Sequence, residues 1–186
     1  MTTYSAISSV TDSAAAASAM ATGIKVNNGV VSMAYPGDGG ELETSLEFFR
    51  DRCKSTGLVT SDYATHTTPA GWGAHEPSRS NYSQIAQDYL HQTRPNVILG
   101  GGGNGLSQSD TEVAGYTVVT NRAEMQALNT ESGTLISGQF TSGALEHEWD
   151  YFNEQPGNTF FDTYPHLSEM MQTALDILDS VLVSAP

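Results

Sequence analysis

Short runs that read as buried strands, alternating with helical patterns, constrain this chain more than any other feature. The runs are Leu58-Val59-Thr60, Val97-Ile98-Leu99, Tyr116-Thr117-Val118-Val119 and Thr134-Leu135-Ile136-Ser137-Gly138. Four amphipathic patterns alternate with them along the chain. Thr44-Ser45 caps a helix through Leu46, Phe48, Phe49 and Cys53, and Asn81 to His91 turns Ile85, Ala86, Tyr89 and Leu90 inward. Arg122 to Leu128 is a third helix. The last runs from His166 to Val183, with Leu167, Met170, Met171, Ala174, Leu175, Ile177 and Leu178 on its apolar face. Buried strands separated by helices predict an α/β sandwich, with a largely parallel central sheet flanked by helices. A length of 186 residues suits one domain over 1–186 with a real core. Residues 146–165 are aromatic-rich and irregular, and are expected to form an interface or a lid.

Charge narrows the partners. The formal net charge is −14, with Lys25 and Lys54 as the lysines. Such a surface repels nucleic acid phosphate and anionic lipid, which excludes both, and it attracts cations. It suits a salt-rich, halophilic setting as well as it suits an ordinary acidic protein. No apolar run is long enough to span a bilayer, and the N-terminus lacks a basic region followed by an apolar one, so a soluble chain without a signal peptide is expected. Cys53 is the single cysteine, which excludes an intrachain disulfide and a thiolate metal cluster. Its place in a helical pattern predicts a small buried apolar group.

Chemistry concentrates near the start. Thr11-Asp12-Ser13 precedes an alanine-rich run that ends at Gly23, the pattern of a capped helix with a glycine stop. A serine there sits among unpaired N–H groups at the positive end of a helix dipole, which suits an anion and favours an alkoxide. Asp12 and Ser13 as plain capping residues are the other reading. Asn28-Gly29 is a turn signal, and Asp62 to Arg79 is a long irregular loop with one short helix between Pro69 and His75. Gly100 to Gly103 does not qualify as a phosphate loop, because neither Lys-Ser nor Lys-Thr follows it.

Thr11-Asp12-Ser13-Ala14-Ala15, continued by Thr22-Gly23-x-Lys25, resembles the nucleophile segment of the alkaline phosphatase family. Gly57 to Thr60, Thr65-His66-Thr67-Thr68-Pro69-Ala70, Ala74-His75 and Ser78-Arg79 follow the same family's pattern at its spacing. Asn96 to Gly102 and Leu167 to Met170 echo it later. The resemblance implies a phosphomonoesterase that hydrolyses phosphate esters through a phosphoserine. Ser13 is then the nucleophile, Arg79 the grip on two phosphate oxygens, and Asp12 the carboxylate that orients Arg79. Thr68 matches a magnesium ligand, with His66 at a neighbouring metal position. His75 matches a family histidine and is read as structural, while His91, His147 and His166 are read as ordinary surface residues. The resemblance further implies zinc and magnesium as cofactors, inorganic phosphate as a ligand, a possible homodimer and a periplasmic or secreted location. The family's zinc-ligand segments have no counterpart here, so the chain is expected to be a central fragment whose own activity is very weak. The alternative is a non-catalytic module that binds cations or phosphate. Thr141 stands where some members carry a calcium-binding glutamate, so no calcium site is expected.

Overall fold

A computed structural model of the chain describes residues 3–128, 134–145 and 163–180. These residues form two compact units, Met1–Thr56 with Thr65–Pro95, and Gly57–Ala64 with Asn96–Pro186.

The second unit is built on the expected sheet. Strands β1 (Gly57–Tyr63), β2 (Val97–Gly101), β3 (Thr117–Val119) and β4 (Ile136–Gln139) stand in the order β1-β2-β4-β3, and every neighbouring pair is parallel. Leu99 pairs with Val59 on one side and Gly138 on the other, so β2 is internal and all five of its residues are buried. Helices flank this sheet, and the helix Arg122–Gln126 adds Met125 to its core. A 14-residue helix, Leu167–Ser180, packs on β1 and β2, and the short helix Gln108–Val113 packs against β3. Val97, Leu99, Val119, Ile136, Met170, Ala174 and Ile177 share one core, which removes their side chains from water at roughly 1.5–3 kcal/mol each for the larger ones.

The glycine run lets the segment after β4 approach β2 closely. A Cβ on Gly101 would stand 1.5 Å from the Gly143 carbonyl oxygen, so only glycine lets these two backbones meet. The cleft beside it, lined by Gly102, Gly103, Ser107, Gln139 and Thr141 among others, carries no charged side chain among the described residues.

In the first unit, α1 (Ser13–Thr22) has Asp12 as its N-cap and Gly23 as a left-handed C-cap, with φ +76°. Its alanines leave no bulk between it and α3 (Thr67–Gly73), so the two helices approach closely. Ala14, Ala17, Ser18 and Ala21 are buried on α1, and Ala70 and Gly71 on α3. Between these two comes α2 (Ser45–Arg50), started by a full capping box in which Thr44 and Glu47 satisfy each other's backbone amides. The helix from Tyr82 runs to Gln87 and continues as one π-helical stretch, Asp88–Thr93.

Three expectations are corrected. Cys53 is exposed, because α2 ends at Arg50 and the chain turns through Cys53 with φ +57°. Phe48 and Phe49 face solvent and stack edge to face, centroids 5.4 Å apart, instead of entering the core. On the last helix Met170, Ala174 and Ile177 are buried, whereas Leu167, Met171 and Leu175 form an exposed row. Most of the aromatic-rich stretch, and His147 with it, lies outside the described residues.

Candidate functional site

The site belongs to the first unit and starts from the cap of α1. Asp12 Oδ1 accepts from the Ala15 amide at 2.9 Å, which fixes the first turn and leaves Ser13 as the first helical residue. Asp12 Oδ2 accepts from the Gly29 amide at 2.8 Å, at the Asn28-Gly29 turn. Asn28 secures the approach to the helix, its Oδ1 accepting from the Asp12 amide at 3.2 Å and its Nδ2 donating to the Val10 carbonyl at 3.0 Å. The Gly29 carbonyl in turn accepts from the Arg79 amide at 2.7 Å. One turn therefore holds both the serine segment and the arginine segment, 66 residues apart in sequence.

Side chains converge on the serine. Arg79 Nη1 donates to Ser13 Oγ at 2.9 Å and lies 3.4 Å from Asp12 Oδ2. Arg79 Nη2 is 3.3 Å from His66 Nε2. A guanidinium has only donors, so His66 accepts there through its Nε2 lone pair. The Ser13 and Thr67 hydroxyl oxygens are 3.2 Å apart, a hydrogen bond in which either can donate. Ser13, Asp12, Arg79 and His66 are all half-buried.

Five sequence-derived site residues thus divide unequally. Ser13, Asp12, Arg79 and His66 come together, while Thr68 is exposed and its neighbour Thr67 turns inward to meet the serine. Sequence reasoning passed over Thr67. Its position at the start of α3, 100° from Thr68 around the helix, was the available signal.

Behind the site lies a buried polar relay. Ser32, itself at φ +43°, donates its backbone amide to Ser18 Oγ at 2.8 Å on α1 and its hydroxyl to the Gly71 carbonyl at 2.6 Å on α3. The Ser32 carbonyl accepts from His75 Nδ1 at 2.9 Å, which leaves Nε2 facing Glu47 at 3.1 Å. Burial opposes a charge on Glu47, yet the bonds from His75 and Thr44 win and hold its carboxyl down at about 2. Burial also works against the His75 cation, but Glu47 and the Ser32 carbonyl raise its pKa above the ordinary value. Asp88 accepts from the His75 amide at 2.9 Å, and burial pushes its pKa up to about 6 despite that bond, with the charge of Glu76 adding to the rise. His75, in the segment leading to Arg79, thus links Glu47 on α2 to the Ser32 carbonyl.

Comparison with known proteins identifies the family. A family profile for alkaline phosphatase matches residues 1–181. Alkaline phosphatase 3 of Bacillus subtilis is 36% identical over 181 residues, covering 91% of this chain and 36% of that protein. The streptomycin-6-phosphate phosphatase of Streptomyces griseus is 31% identical, covering 91% of this chain and 46% of that one. The crystal structure of a cold-active alkaline phosphatase from a Shewanella species superimposes with a TM-score of 0.80 at 33% identity, over 96% of this chain and 42% of its own. The chain thus spans between about a third and a half of the length of these relatives. With a matching profile over nearly its whole length and the same fold, the chain belongs to the alkaline phosphatase family.

Proposed function

We propose that this chain carries the nucleophile and the oxyanion clamp of an alkaline-phosphatase-type phosphomonoesterase. The observation that supports this reading is the 2.9 Å bond from Arg79 to Ser13 Oγ at the N-terminus of α1. Ser13 Oγ attacks the phosphorus of a phosphate monoester, the bond to the leaving oxygen breaks, the Ser13 hydroxyl proton departs with that oxygen as the alcohol, and a phosphoserine forms. Water then attacks the same phosphorus, the bond to Ser13 breaks, and Ser13 recovers a proton. Arg79 offers a planar fork to two non-bridging oxygens, which a lysine cannot match. The first-turn amides of α1 and the helix dipole favour the same negative charge. Asp12, tied to Gly29 and Ala15, keeps the arginine and the helix start in one frame.

Family membership implies metal cofactors, zinc and magnesium on the resemblance. The donors present do not compose such sites. Among the described residues no three His, Cys, Asp or Glu side chains cluster. His66 spends its Nε2 lone pair on Arg79, and exposed Thr68 adds no carboxylate, whereas magnesium asks for about six oxygens. No step is therefore routed through a metal. The same observation favours a second reading, phosphate binding without turnover. Substrates on the first reading are phosphate monoesters, in a periplasmic or secreted setting.

The test is to incubate the 186-residue chain with p-nitrophenyl phosphate, quench in acid and map phosphoserine by peptide mass spectrometry. Phosphoserine at Ser13, absent in Ser13→Ala, is expected, with slow turnover. Calorimetry should give inorganic phosphate a Kd on the order of 1 mM. Arg79→Lys should weaken it about tenfold, the loss of one charge-assisted hydrogen bond. Phosphate binding without phosphoserine establishes the second reading, and no binding at all overturns both.

A further inference from the structure

The geometry points to Thr67 as a further catalytic residue, a hydrogen-bond donor to the Ser13 oxygen when that oxygen leaves phosphorus. The inference rests on the phosphoserine reading above and extends it to the hydrolytic half of the cycle.

Thr67 touches the reacting atom itself. Its hydroxyl oxygen is 3.2 Å from Ser13 Oγ, and the residue is only 1% exposed. Its place is set by packing at the α1–α3 crossing. Thr67 and Gly71 lie one turn apart on α3, and Ser13 and Ala17 lie one turn apart on α1, so each pair shares a helix face. At the second level the helices meet with no room between them, since a Cβ on Gly71 would come within 2.6 Å of the Ala17 Cβ. That close approach brings the two hydroxyls together at the first level. The Ser32 hydroxyl, bonded to the Gly71 carbonyl, further anchors α3.

In the free protein either hydroxyl can donate. Once Ser13 Oγ is bonded to phosphorus it has no proton, so only Thr67 O–H can donate across this contact. Hydrolysis forms a bond from water oxygen to phosphorus and breaks the bond from phosphorus to Ser13 Oγ. The electron pair of the broken bond stays on Ser13 Oγ, and a water proton finally neutralises it. Negative charge therefore grows on Ser13 Oγ in the transition state. Arg79 Nη1 and the Thr67 hydroxyl both lie within hydrogen-bond distance of this oxygen, two donors available where charge develops. Thr67 keeps its own proton throughout, and no acid or base beyond water is required. A merely structural role would be the satisfaction of a buried hydroxyl, which predicts a stability loss and no change in the fate of the phosphoserine.

The experiment measures phosphoserine decay. The chain is loaded with p-nitrophenyl phosphate, the ester is removed by rapid gel filtration, and phosphoserine on the Ser13 peptide is followed by mass spectrometry. Thr67→Val keeps the shape and removes the donor. It should slow decay about 10- to 100-fold, the worth of a hydrogen bond to a charged oxygen. Its Kd for inorganic phosphate should stay within about twofold of wild type, since Thr67 faces Ser13 and not the phosphate oxygens. Thr67→Ser should decay at the wild-type rate, and Thr67→Ala, free of the extra methyl, should be as slow as valine. Decay in Thr67→Val and Thr67→Ala at the wild-type rate overturns the role of Thr67 and leaves the role of Ser13 standing. Slow decay in Thr67→Ser overturns it too, by assigning the effect to packing. A wild-type chain that never forms phosphoserine at Ser13 overturns the underlying reading, and this inference with it.

Discussion

Gly71→Ala probes the contact on which the site depends. The added Cβ would stand 2.6 Å from Ala17 Cβ, 2.9 Å from the Ala17 carbonyl carbon and 3.1 Å from the Ser18 amide nitrogen. Non-bonded carbons rest at about 3.5–4.0 Å, so the helices must part by roughly 1 Å. Two terms oppose each other. Replacing a helical glycine by alanine gains about 0.8–1.0 kcal/mol. Overpacking against backbone atoms, which cannot rotate away, costs about 1–3 kcal/mol. Straining the Ser32-to-Gly71 bond, 2.6 Å long and buried, costs about 1 kcal/mol more. The net expectation is a loss of about 1–3 kcal/mol, or roughly 2–12 °C in melting temperature for a chain of this size. Parting the helices also carries Thr67 away from Ser13 and out of hydrogen-bond range, so phosphoserine decay should slow as it does in Thr67→Val. Thermal melts and the decay assay read the two consequences separately. An unchanged or raised melting temperature would show that the crossing has slack, and would refute the packing argument for how the two hydroxyls meet.

Proton linkage behind the site gives a second expectation. Asp88 has its folded pKa raised from 3.8 to about 6, so its ionisation costs stability as pH rises through 6. Asp88→Asn should therefore stabilise the chain at pH 7–8 and make no such gain near pH 3.5, which urea melts at both pH values check. Glu47, lowered from 4.5 to about 2, contributes stability above 4.5 that is lost as pH falls through 2, whereas His75, raised from 6.5, contributes below 6.5 and loses its share as pH climbs past its folded value. Glu47→Gln should accordingly be more destabilising at pH 5.5 than at pH 9 in the same melts. The formal charge of −14 predicts a melting temperature that rises with sodium chloride, and a flat or falling curve would remove self-repulsion as a determinant. Exposed Cys53 should react with a thiol reagent in the native chain as fast as in urea.

The parallel sheet was readable because its signal is one-dimensional. A run such as Val97-Ile98-Leu99 can lose all its side chains to a core only as an internal strand, and it became one. The cap at Asp12 and the box at Thr44 were readable for a similar reason, since both are local chemistry within four residues. Faces of short helices were not. The pattern through Phe48, Phe49 and Cys53 assumes helix continues, but the chain leaves it after Arg50, and the phase that would bury those residues goes with it. On the last helix a broad apolar pattern could not say which of its two edges meets the sheet, and Leu167, Met171 and Leu175 fell on the open one. Ser13 and Arg79 were found through the resemblance, and their meeting depends on the Asn28-Gly29 turn. Thr67 was hidden because adjacent threonines are equivalent in sequence. Only the α1–α3 approach distinguishes them.

The order in which the units use the chain has a consequence for synthesis. β1 belongs to the second unit, yet it is threaded between the two segments that build the first. On a ribosome it emerges before β2, the strand it pairs with among the described residues. Its partner, β2, ends at Gly101, so roughly 40 residues must be added while one parallel edge waits, about 2–8 s at ordinary elongation rates. During that interval Thr65–Pro95 can complete the first unit around Ser13 and Arg79. The contact between Ser13 and Arg79 can thus be in place on the nascent chain before β2 joins β1, with Leu58 and Val59 the segment most in need of shielding meanwhile.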